Sequence, residues 1–100
     1  MSLTVHVTKG ELCDLFDALG IWDKIEQGRC TLEYIMRTQA PARSYPDATS
    51  TIARIRNQHG FQIGTAHLIY TNASGETLHR DASDLVIGDV KLERQKASTL

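Results

Sequence analysis

Leu3, Val5 and Val7 alternate with Thr4, His6 and Thr8, the pattern of a short strand over residues 2–8 with one buried face. Thr8 and Glu11 have capping-box spacing, and Leu12, Leu15, Phe16 and Leu19 follow at helical intervals, so a helix is predicted over about 10–19, ended by Gly20. Ile21, Trp22 and Ile25 carry an apolar face onward to Gly28. From Thr31 to about Thr38 a third helical pattern turns Leu32, Ile35 and Met36 inward and Glu33, Arg37 and Thr38 outward. Pro41 and Pro46 mark residues 40–46 as a loop, because each disfavours helix in the residue before it. Ala48, Ile52, Ile55 and His59 then recur at spacings of four, three and four, which predicts a further helix over 47–59, stopped by Gly60.

Beyond Phe61 the period changes to two. Thr65–Thr71 and Glu76–Arg80 read as strands joined by a turn at Asn72, Ala73, Ser74 and Gly75, with Leu78 opposite Ile69. Asp81–Asp84 reads as a second turn or a single helical turn, and Leu85–Arg94 as a last strand bent at Gly88. The predicted class is therefore α+β: an N-terminal strand, three to four short helices and a small antiparallel meander or hairpin, a winged-helix-like arrangement. Residues 1–94 form one domain and 95–100 a flexible tail. The expected core is Leu12, Leu15, Phe16, Leu19, Ile35, Ile52, Ile55 and Ile69.

The run Ala53–Thr65, ARIRNQHGFQIGT, resembles the end of the recognition helix in small phage- and prophage-type winged helix-turn-helix proteins. Arg54, Ile55, Gly60, Phe61 and Ile63 carry the resemblance. It implies a DNA-binding domain in which helix 47–59 enters the major groove and the 65–80 hairpin is the wing. In that reading Arg54 and Asn57 reach base edges. Thr49, Ser50 and Arg43 hold phosphates, with Arg56 beside them, and Asn72, Ser74 and Arg80 brace the wing.

Charge changes this picture. Eleven basic against twelve acidic residues give a net charge of −1, whereas a chain that makes many phosphate contacts is usually basic. Useful DNA affinity then requires a homodimer or a nucleoprotein partner. Residues 31–80 are the basic part, with Arg37, Arg43, Arg54, Arg56 and Arg80 against Glu33, Asp47 and Glu76. Arginine also serves protein interfaces, so the rival expectation is a stand-alone inhibitor or adaptor that contacts a host protein, with Trp22 and Tyr45 as further anchors. Phage-type accessory proteins, including anti-defence inhibitors such as anti-CRISPR proteins, offer an analogy of size and composition. Acidic residues interrupting the arginine surface would favour this second expectation.

No apolar run approaches the roughly 20 residues of a membrane span, and MSLTVHVTKGEL lacks a signal-peptide core, so the expected compartment is the cytoplasm. Cys13 and Cys30 read as reduced thiols. The tripeptide His79-Arg80-Asp81 lacks the other parts of a kinase, and Asp81, Asp84 and Asp89 have no spacing that fixes a catalytic pair. His67 and His79 can approach across a hairpin, but no histidine pair has helical metal-ligand spacing. The expectation is a binding protein without catalytic residues, metal or cofactor.

Overall fold

The computed structural model describes residues 3–95. Six strands form one sheet in the order β1-β6-β5-β4-β3-β2, and two helices lie between the first strand and the second. The strands are β1 (Leu3–Val7), β2 (Thr31–Pro41), β3 (Ala48–Arg56), β4 (Gln62–Thr71), β5 (Thr77–Ile87) and β6 (Val90–Arg94); the helices are α1 (Lys9–Ala18) and α2 (Ile21–Glu26). Strands β2 to β6 pair antiparallel in chain order, and β1 closes the far edge parallel to β6, Leu3 opposite Val90 and Val7 opposite Arg94.

The first strand and first helix stand where the sequence pattern put them, but β1 lacks the buried face expected of it: Leu3 and Val5 are exposed and only Val7 is half-buried, because β1 is an edge strand. Thr8 caps α1 reciprocally: Glu11 N–H donates to Thr8 Oγ1 at 3.1 Å and Thr8 N–H donates to Glu11 Oε1 at 3.0 Å. Leu12 and Phe16 point from α1 into the core, where they meet Ile21, Cys30, Ile55, Ala66, Ala82 and Leu85. Leu15 is only half-buried and Leu19 is exposed, because α1 rests on a broad sheet along one narrow stripe.

The middle of the chain overturns the predicted architecture. Residues 31–38 and 47–59 are not helices, and the described residues form no helix-turn-helix or winged helix. Thr31–Pro41 and Ala48–Arg56 are neighbouring strands, with Leu32 opposite Ile55 and Tyr34 opposite Ala53. Thr49, Thr51, Ile52 and Ile55 are β-branched and favour a strand. The buried residues of β3 are Thr51, Ala53 and Ile55 on the helix-bearing face, and Ala48 on the opposite face with Ser50 and Ile52. Thr51 and Ala53, one polar and one small, escape a count of large apolar positions, whereas Ile52, expected in the core, faces the other side with Ser50 and Arg54 and is half-buried. Ile35 is also half-buried on the edge strand.

The C-terminal half is more continuous than the alternation suggested. Asn72–Gly75 is the turn expected, but bulges put His79, not Leu78, opposite Ile69. Asp81–Asp84 is strand interior rather than a turn, and Leu85–Arg94 is two strands joined at Gly88, whose φ is +59°. The 65–80 hairpin is the centre of the sheet and not a peripheral wing. At Gly64 the backbones of β4 and β5 run so close that a Cβ would stand 2.6 Å from the Asp84 carbonyl oxygen. Residues 96–100, most of the predicted tail, lie outside the described residues. Among those described, no helix is long and apolar enough to cross a membrane, and Cys13 and Cys30 are free thiols.

Candidate functional site

The sheet has two unequal faces. Both helices lie on the face that carries Ala53, Ala66 and Ala82, three alanines in register across β3, β4 and β5. Small side chains let Phe16 and Leu12 sit close to the sheet. The helices are short, ten and six residues, and leave the far half of this face uncovered.

That uncovered half forms a cleft of about 440 Å³ between α2 and the β4–β5 end of the sheet. Trp22 and Ile25 of α2 make one wall; Leu32, Leu68 and Leu78 make the floor and the other side. Trp22 packs on Phe16 with ring centroids 5.3 Å apart, and the Arg80 guanidinium stands 4.7 Å above the indole. Arg80 also donates to Glu26 Oε1 at 3.2 Å, which fixes the guanidinium as the rim. One position further along the same strands, Tyr34 and Tyr70 stack at 5.7 Å with planes 10° apart. Beyond them Met36 is 72% exposed on β2, the free edge of the sheet. A bulge follows there: Thr38 turns inward, its hydroxyl donating to the Ile35 carbonyl at 2.7 Å and accepting from Ile52 N–H at 2.8 Å.

The residues nominated for DNA are mostly engaged elsewhere. Arg54 and Arg56 lie on the same side of β3, and both bind one carboxylate oxygen of Glu33, at 3.1 and 3.2 Å. Hydrogen bonds from Arg56 and then Arg54 hold the Glu33 carboxyl below the usual range. The two arginines therefore cannot divide into a base reader and a phosphate clamp as a helix would divide them. Asn57 is in the turn after β3, where its side-chain oxygen accepts from His59 and Phe61 N–H. Thr49 Oγ1 donates to Asn72 Oδ1 at 2.6 Å, and Ser74 bonds Thr71 at 2.7 Å, so both shape the 72–75 turn. Ser50 bonds His67, Tyr45 is half-buried in the 42–47 loop, and Arg43 is exposed beside it.

No family model matches this chain, and comparison with curated proteins and with solved structures finds no match. The surface itself is what bears on function. Only Arg80 of the nominated residues belongs to the cleft; Trp22 was singled out as an interface anchor, while Tyr34, Tyr70 and Leu78 were missed. The signal for Tyr34 was present in its chemistry, a large aromatic beside Glu33 in a β-rich run, once that run is read as a strand. No group of three or more potential metal ligands occurs among the described residues.

Proposed function

We propose that this chain is a small binding module that acts by protein–protein contact, with the Trp22–Arg80 cleft and the Tyr34–Tyr70 stack as its recognition surface. The observation that carries this reading is the co-location of Trp22, Tyr34, Tyr70 and Arg80 on the uncovered half of one sheet face. Trp, Tyr and Arg are the residue types that dominate binding energy at protein interfaces, and a concave apolar floor gives a partner side chain somewhere to be desolvated. Glu33 adds to the case, because a carboxylate bound to both Arg54 and Arg56 interrupts the basic stripe of β3.

The test places a photo-crosslinking amino acid at Tyr34 and compares lysate capture with and without nuclease, then measures affinity for the purified partner. The expected result is a protein adduct that survives nuclease, with binding weakened by about 2 kcal/mol or more in Trp22→Ala and in Leu78→Asp. Capture abolished by nuclease, or binding unchanged in both variants, overturns the reading and returns nucleic acid to first place.

A further inference from the structure

The other face of the sheet carries a second, unrelated arrangement. Ser50 of β3 and His67 of β4 are diagonal neighbours there, since Ser50 pairs with Ile69 and His67 with Ile52. Ser50 Oγ lies 2.6 Å from His67 Nε2. The chain from Ala40 to Ser44, together with Ser50, His67 and Ile69, lines an open cavity of about 330 Å³ beside this pair. Pro41, Ala42 and Ile69 make most of the lining apolar, and Arg43 adds a cation with no ion-pair partner among the described residues. We propose that Ser50 is a nucleophile activated by His67, able to take a short apolar acyl group from a small ester bound in this cavity.

The chemistry needs a hydroxyl, a neutral base in contact with it, and room for an electrophile. All three are present. Burial holds the His67 imidazole below its ordinary pKa, helped by His79, whose ring stands edge-on at 6.2 Å, and by Arg94 and Lys9; Asp81 opposes them. His67 is therefore neutral at pH 7. In the tautomer with hydrogen on Nδ1, Nε2 accepts from the serine. As Oγ attacks the ester carbonyl carbon, the Oγ–C bond forms and the hydroxyl proton passes to Nε2. The C–O bond to the leaving alkoxide then breaks, and that oxygen takes the proton from Nε2. Water attacks the acyl-serine by the same route and releases the carboxylic acid. Arg43 is the charge available to the developing oxyanion. This site lies on the face opposite the partner cleft and does not depend on that reading.

The test is incubation of the purified chain with a fluorophosphonate probe, followed by intact mass and peptide mapping. Labelling forms Oγ–P, breaks P–F and expels fluoride, with the proton going to His67. The expected result is one adduct per chain, on Ser50, absent in Ser50→Ala and formed at least about tenfold more slowly in His67→Gln. The wild-type labelling rate should rise with pH through an inflection below about 6.5, the ordinary imidazole value. Arg43→Gln, an exposed change, should slow labelling while leaving the melting temperature unchanged, which keeps the proposal testable if His67→Gln fails to fold. An absent adduct, an adduct on another residue, or a wild-type rate without that inflection overturns it.

Discussion

The two faces of this sheet solve the problem of burial in different ways. The helix-bearing face, where Ala66 and Ala82 pack with Phe16, is held by close contact between apolar groups, and a buried hydroxyl there is satisfied where Thr51 meets Thr38 at 3.2 Å. The outer face puts Ser50, Arg54, His67, His79 and Asp81 on the same three strands, and each of the five has a polar or ionic partner. Asp81 is the extreme case. Strand β5 runs on past the end of β6, and there Lys9 at 3.0 Å, His79 at 3.4 Å and Arg94 at 3.7 Å converge on one carboxylate oxygen while Cys13 donates to the other at 3.7 Å. Its burial alone would raise the pKa, but the Lys9 hydrogen bond and charge, with His79 and Arg94, bring it below the usual carboxylate value. One face is thus sensitive to volume and the other to protonation.

A pair of neighbours in β3 breaks this comparison most directly. Ile55→Ala removes a fully buried side chain and should cost about 2–5 kcal/mol in urea unfolding, whereas Ile52→Ala, half-buried on the outer face, should cost less than about 1.5. Equal losses would mean the outer face is packed as a second core. Gly64→Ala comes next. Its Cβ would press on the β5 backbone, which cannot swing away as a side chain could, and a loss of about 1–3 kcal/mol is expected. An unchanged melting temperature would show that the β4–β5 bulge relaxes freely.

Acid should distinguish the faces more gently. His67 and Asp81 both bind protons more weakly in the folded chain than in the unfolded one. The stability each contributes is complete above its unfolded pKa and is lost as pH falls through its folded one. His67 therefore acts on moving down from about pH 6.5, and Asp81 on moving down from about pH 3.9. Urea unfolding across this range should lose its upper slope in His67→Gln and part of its lower slope in Asp81→Asn; identical profiles for all three proteins would remove the outer network from the account. The smallest effect is expected at Glu33. Glu33→Gln should leave the melting temperature unchanged, since the pair is exposed, while raising low-salt affinity for duplex DNA by freeing Arg54 and Arg56. No gain in affinity would argue that the two arginines are not a masked phosphate site.

Local signals in the sequence were reliable where the interaction was itself local. The Thr8–Glu11 box, the Leu12 and Phe16 part of the α1 stripe and the Asn72–Gly75 turn are each decided within a few residues, and each stands where the pattern put it. The strands β2 and β3 were misread because Ala48, Ile52 and Ile55 fit a helical period by chance, and because Thr51 and Ala53, polar and small, carry no apolar signal of their burial. The approach of His67 to His79 was legible from the hairpin. The Ser50–His67 contact was not, since a diagonal across two strands has no fixed spacing in sequence and depends on a register that the bulges set. Tyr34 and Tyr70 meet over β3 for the same reason, 36 positions apart in number but with a single strand between them in space.

The parallel pairing of β1 with β6 has a consequence in time. Strands β2 to β5 each hydrogen-bond a sequence neighbour, so that part of the sheet can grow hairpin by hairpin with short loops to close. Strand β1 is the first to be synthesised and the last to find its place, because Leu3 to Val7 have no partner until Val90 to Arg94 exist. Helix α1, joined directly to β1 and contributing Leu12 and Phe16, can form early through its own cap, yet its final seat on the sheet waits for the same event. The slowest productive step in folding is therefore expected to be the docking of β1 upon β6, the contact of highest sequence separation in the sheet.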